Sequence, residues 1–276
     1  SCRSGGSKTN PSEWISLVFA ALQLERKHQG HAVVVAITSR AVFDSEAGDD
    51  GGDVYGAGVA FPLLQALQRV NARLLEDNSA ASLLFDVVLI TTSSRQQQQS
   101  SRITNSTRHH GLEVGRFCFS SEEDFNESLL KQNVQLFLTT DENESLQATQ
   151  QGVPSALLDE SSRSCSSDQL RVLFCENAVI PPNPGPPPAS RQAAQRLAAQ
   201  LGTMRQKFGM FHSPLCFTLV MSRGSKESCC DALKALRSIG VSVDEAYCLA
   251  GAPRSPIMSL LRPHFLLSED ISGLED

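Results

Sequence analysis

The residues best placed to do chemistry are Cys175-Glu176-Asn177. They interrupt an apolar run that begins at Arg171-Val-Leu-Phe174, and the chain then breaks into Pro181-Pro-Asn-Pro-Gly-Pro-Pro-Pro188. The run predicts a buried strand over residues 171–179, and open α/β sheets bind ligands just outside the carboxyl ends of their strands. A cysteine there is a nucleophile only as its thiolate, and at an ordinary pKa of ~8.5 that requires a cationic neighbour. Without such a neighbour Cys175 is a small packing residue. Glu176 is expected to face solvent or a backbone amide rather than a metal. Asn177 neither takes nor gives a proton at neutral pH.

Other spacings are weaker. Cys165 and Arg171 have the Cys-x5-Arg separation of cysteine phosphatases. The preceding histidine and the glycines that let amides wrap a phosphate are missing, so the match reads as coincidence. His109-His110 has no Asp or Cys partner at ligand spacing. None of the eight cysteines stands in a zinc-site pattern. The Asn-x-Ser/Thr triplets at Asn105, Asn126 and Asn143 read as chance in a chain expected to stay in a reducing cytosol.

The elements that must position Cys175 follow from hydrophobic periodicity. His31–Thr38, Phe85–Thr92, Val134–Thr140, Cys216–Met221, Ala246–Gly251 and His264–Leu267 are short apolar runs that read as buried strands. Between them, Phe61, Leu64, Leu67, Val70 and Leu74 recur at helical spacing, with Pro62 suited to a first turn. A helix over Ser190–Phe208 is expected to start with Ser190 as N-cap. Ser225–Ile239 predicts a helix stopped by Gly240, and Pro256–Leu261 a shorter one. Trp14–Leu24 reads as a short helix, while Asp44–Gly52 and Gln96–Gln99 read as solvated loops. Near-continuous apolar strands alternating with helices predict an α/β fold with a mostly parallel sheet and helices on both faces.

The expected organisation is a polar tail and short helix over 1–30, an α/β half over 31–165, and a second half over 166–276 that carries the site. The two halves repeat one order of strands: 31–43 with 170–180, 86–93 with 216–224, and 134–141 with 264–270. An old duplication and the monotony of α/β proteins both account for it. The first residue is Ser1 rather than Met, so the sequence reads as a fragment. With a net charge of −6 and no dense basic cluster, a nucleic-acid partner gains no support. No apolar run is long enough to span a bilayer.

Several strings resemble the cytosolic type I 5′-nucleotidases. They are Ala36-Ile-Thr-Ser-Arg-Ala-Val-Phe43, Ala60-Phe-Pro62, Val70-Asn71, Asn105-Ser106, Arg116-Phe-Cys118, Gln169-Leu-Arg-Val172, Ala235-Leu-Arg-Ser238, Asp244-Glu-Ala246, Ala250-Gly-Ala-Pro253 and Arg262-Pro-His264. They run in family order from about residue 31 to the end. The resemblance implies a haloacid-dehalogenase-like core with a cap insertion, here reduced and Pro-rich. It also implies magnesium-dependent hydrolysis of AMP- or IMP-like monophosphates in the cytoplasm.

Where the family has Asp-Gly-Asp, this chain has Cys175-Glu176-Asn177. The resemblance therefore makes Cys175 the position of the nucleophilic carboxylate and Asn177 that of the acid/base. It gives Ser222, Arg223 and Arg254 as the phosphate-binding positions, Arg254 replacing a lysine. The metal-binding pair falls on Ser268-Glu269, with Asp270 next. Losing the acid/base alone removes ~10² to 10⁴ in rate, and Cys and Asn are poor ligands for magnesium. The expectation is a catalytically impaired copy that binds a nucleoside monophosphate or phosphate, with a homo-oligomer or a hetero-oligomer with an active relative as its setting. The alternative is an active nucleotidase with Glu176, Glu269 or Asp270 as replacement metal ligands.

Overall fold

The computed structural model describes residues 32–44, 53–78, 81–92, 100–121, 123–166, 168–179, 188–208, 212–223 and 226–268. In chain order the elements are β1 (Val33–Thr38), α1 (Ser39–Val42), β2 (Phe43–Asp44), β3 (Gly56–Ala57), α2 (Phe61–Asp77), β4 (Phe85–Thr91), α3 (Ser100–His109), β5 (Arg116–Phe119), α4 (Phe125–Lys131), β6 (Leu136–Thr139), α5 (Glu142–Gln150) and β7 (Ser155–Leu157). A 3-10 turn over Glu160–Ser164 leads to β8 (Leu170–Cys175), α6 (Glu176–Val179), α7 (Ala189–Arg205), β9 (Leu215–Met221), α8 (Lys226–Ser238), β10 (Glu245–Cys248), α9 (Ser255–Leu261) and β11 (Phe265–Leu267).

The fold is α/β with parallel strands, but they form two sheets rather than one. The first has the order β5-β4-β1-β6-β7 and the second β10-β9-β8-β11, with β2 and β3 as a small antiparallel ribbon. Every pairing within the two larger sheets is parallel. The order β5-β4-β1-β6 corresponds strand for strand to β10-β9-β8-β11. In both, the central strand is followed at once by a single helical turn, α1 or α6. The repeat in the sequence is thus also a repeat in topology.

Alternation along β1 explains why its run has no polar interruption. Val33, Val35 and Ile37 face one apolar cluster, while Ala36 joins Val88, Ile90 and Phe137 under Phe125 and Leu129 of α4. A strand covered on both faces has no solvent side to mark. In the second sheet, Leu170, Val172 and Phe174 enter the larger cluster, where Phe174 meets Phe217 edge-on at 5.6 Å. Leu173, Cys175 and Val220 face the other way, covered by Ile257, Met258 and Leu261 of α9. No residue of α9 is itself fully buried.

Helix α2 joins the two sheets. It packs against β4, β8 and the 3-10 turn, and Leu63, Leu64, Leu67, Val70 and Leu74 are buried in the shared cluster. Pro62 lies in its first turn, as the sequence predicts. Asn71 on this helix is a buried clamp: its Oδ1 accepts from the amides of Leu84 and Phe85 at 3.0 Å, and its Nδ2 donates to the Phe85 carbonyl at 2.9 Å. This fixes where β4 begins. Gly240, at φ +84°, ends the turn after α8, and its carbonyl would lie 2.5 Å from a Cβ added at Gly202 of α7. Glycine at both positions lets the two helices approach.

Two local expectations fail. The strand expected over 171–179 stops at Cys175, and Glu176–Val179 turns into α6. Ser190 is not the N-cap of α7, because the helix begins at Ala189 after Pro188, whose fixed φ of −59° presets the entry. The expected Trp14–Leu24 helix, the Gln96–Gln99 loop, residues 45–52 and the Pro-rich stretch over 180–187 lie outside the described residues.

Candidate active site

The carboxyl ends of β8, β9 and β11 and the start of α9 meet at one place. Cys175, the last residue of β8, is fully buried among Leu173 and Val220. The turn of α6 then lifts the next two side chains out of the sheet. Asn177 Oδ1 accepts from Ser268 Oγ at 3.3 Å, which ties α6 to the end of β11. Arg254, at the start of α9, donates from Nε to Ser222 Oγ at 2.6 Å, which ties α9 to the end of β9.

Glu176 is half-buried between these two ties. Its carboxylate accepts the backbone N–H groups of Ser222 and Arg223 and lies beside the Arg254 guanidinium. Burial pushes its pKa above the usual carboxylate range, with Arg254 and the two amides opposing that push. One oxygen, Oε2, is buried without a hydrogen-bond partner among the described residues. Arg223 itself is exposed. The geometry thus brings Cys175, Glu176, Asn177, Ser222, Arg223, Arg254 and Ser268 together, whereas Glu269 and Asp270 lie outside the described residues.

A cavity of about 480 Å³ opens next to this cluster, between β7 of the first sheet and β11 and α9 of the second. Arg254 and Ser268 line it, together with Asp159, Ser259, Arg262 and His264. The volume falls in the range of small-molecule sites, and hydroxyls and one acid face two guanidinium groups. His264 is buried, and its Nδ1 accepts from the Arg171 amide at 3.0 Å. Burial, and then the Arg171 charge, pull its pKa down to about 4, so the ring is neutral at pH 7. Sequence reasoning missed Asp159 and Ser259, because nothing in their local pattern shows that β7 and α9 share a wall.

It missed a second polar cluster as well. At the carboxyl ends of β1, β4 and β6, Glu144 accepts from Thr92 Oγ1 at 2.8 Å and from Thr139 Oγ1 at 2.7 Å, and pairs with Arg40. Arg40 also reaches Asp141 at 3.5 Å, and Asp141 caps α5 by accepting the Glu144 amide at 3.1 Å. Thr92 follows β4 as Ser222 follows β9. The available signal was the recurrence of Ser, Thr and Arg at strand ends: Thr38-Ser-Arg40, Thr91-Thr92 and Thr139-Thr-Asp141.

Among the described residues no three His, Cys, Asp or Glu side chains converge on one point. Glu176 is engaged with two amides and an arginine, and a thiol and a carboxamide stand on either side of it. These residues do not fit magnesium, which takes hard carboxylate oxygen.

A family model described as 5′-nucleotidase matches residues 25–185, more than half of the chain. A curated human relative, cytosolic 5′-nucleotidase 1B, is 28% identical over 244 residues, which cover 79% of this chain and 40% of the relative. The chain therefore spans about two fifths of the length of the curated relative it matches.

Proposed function

Because the chain belongs to the 5′-nucleotidase family, we propose that it is a catalytically impaired member that binds a nucleoside monophosphate without hydrolysing it. The family chemistry acts on such monophosphates with the help of a metal. The observation that carries the proposal is the fate of the two positions where that chemistry needs carboxylates. Cys175 is packed in an apolar cluster with no exposed surface, and Asn177 is a hydrogen-bond acceptor for Ser268. Neither supplies an anionic nucleophile, a proton or a hard metal ligand. The retained groups, Ser222, Arg223 and Arg254, bind rather than break bonds.

The role that fits is regulatory, in the cytoplasm, alone or in an oligomer with an active relative. No helix among the described residues is long and apolar enough to cross a membrane. The active alternative draws on one observation: Glu176 does face the same cleft as Ser222 and Arg254. The positive Arg254 beside it repels a second cation, and burial raises its pKa against the deprotonated state that a metal ligand must hold.

The experiment is phosphate release from AMP and IMP with magnesium, for the native chain and for Cys175→Asp/Asn177→Asp. Silence from the native chain with measurable release by the double variant is the expected result. Turnover by the native chain that survives Cys175→Ala ends the reading.

A further inference from the structure

The amides of Ser222 and Arg223 are consecutive donors at the end of β9, and the Arg254 guanidinium stands beside them, held by its bond to Ser222 Oγ. Two adjacent N–H groups and a guanidinium form a concavity for an anion. In this chain an anion is already there, because the carboxylate of Glu176 accepts both amides.

We propose that Glu176 is the specificity-determining residue of this site: its carboxylate holds the place a phosphate would take, so the phosphate of a nucleotide enters only by displacing it and adds little to the affinity of the native chain. The proposal rests on the reading of the site as a binding site and narrows it to the part of the ligand that is recognised. A tethered group competes at a high effective concentration set by its short connection. Glu176 follows directly on β8, so its backbone is fixed by the sheet and only its side-chain torsions separate it from the amides. An incoming phosphate must expel it and then lie against its displaced charge, and like charges brought together are strongly unfavourable. A neutral, hydroxyl-bearing nucleoside meets no such opposition in the adjoining cavity, where Asp159, Ser259 and Arg262 offer polar contacts.

The orphaned Oε2 supports this assignment. An acceptor that had been fitted to a purely structural role would have both oxygens satisfied. Here Oε2 has no donor among the described residues.

The test is calorimetric titration of the native chain, Glu176→Gly and Glu176→Gln with inorganic phosphate, and then with adenosine and AMP. Glycine empties the cradle. Glutamine keeps the bulk and removes the charge. Phosphate is expected to bind Glu176→Gly roughly tenfold or more tightly than the native chain, with Glu176→Gln between them. The AMP-to-adenosine affinity ratio is expected to rise from near one to roughly tenfold in Glu176→Gly, and adding Arg254→Ala to remove that gain. Equal phosphate binding by the native chain and both variants overturns the proposal, as does tightest binding by the native chain. If Glu176→Gly does not fold, the comparison of the native chain with Glu176→Gln decides by the same criterion. Hydrolysis of AMP by the native chain would instead end the non-catalytic reading, whatever the phosphate titration gives.

Discussion

The two sheets carry the same strand order, and each holds a glutamate at the carboxyl ends of its central strands, yet the two glutamates are treated differently. Glu144 has each carboxylate oxygen bonded, by Thr92 with Arg40 and by Thr139. Glu176 faces two amides, yet its Oε2 is buried with no hydrogen-bond partner among the described residues. A saturated buried network specifies one arrangement and stiffens it, whereas a half-satisfied one stores an unmet demand. The first cluster is built as a lock, and the second as a place where something is still to be bound.

Breaking the lock has the largest expected effect. Glu144→Ala leaves Asp141 as the carboxylate partner of Arg40 and removes the acceptor of two buried threonine hydroxyls. Deleting an acceptor that satisfies buried donors costs their hydrogen bonds, and about 2 kcal/mol is expected from urea unfolding. Glu176→Ala is expected to change stability by less than about 1 kcal/mol, because it also removes a half-satisfied acceptor. If the two variants are equally destabilised, the contrast between the clusters is wrong.

Acid separates the halves next. His264 belongs to the second half, and its folded pKa of about 4 lies below the unfolded value of 6.5. The unfolded chain therefore binds more protons between those values, so stability is present above pH 6.5 and is lost as pH falls towards 4. The loss is at most ~1.4 kcal/mol per pH unit over that interval. His264→Gln is expected to flatten the pH dependence of the melting temperature between pH 6.5 and 4.5. An unchanged profile would mean that other groups govern it.

The smallest contrast lies in the equivalent hydroxyls. Thr92 is buried with its hydroxyl on Glu144, so Thr92→Val is expected to cost about 1–2 kcal/mol. Ser222 is half-buried and its hydroxyl accepts from Arg254, so Ser222→Ala is expected to cost a few tenths of a kcal/mol while weakening anion binding in the Glu176→Gly background. Equal costs in chemical denaturation would place both hydroxyls in the same structural class.

The strands were legible because β-branched runs such as Val33–Thr38 and Phe85–Thr91 leave no helical alternative. The division into two sheets was not, since a strand buried on both faces carries the same pattern whichever strand it pairs with. The end of β8 was misread for a related reason. Ala178-Val-Ile180 continues the apolar character of the run, and only the packing of Ala178 under α7 makes it a helical turn. That Ser222 and Arg254 belong with the end of β8 was implied by the resemblance alone, since nothing in their local pattern links them. The Glu144 cluster was not, because Glu144 lies in a polar helix start whose burial depends on Arg40, about a hundred positions away.

Helix α2 has a consequence for the way the molecule comes apart. Its apolar side is shared by β4 and β8, so neither sheet can be exposed to solvent without stripping the helix from the other. The chain should therefore melt in a single transition, with amide protons of β1 and β8 exchanging at the same rate, and the cavity between β7 and β11 should fill and empty without the halves parting.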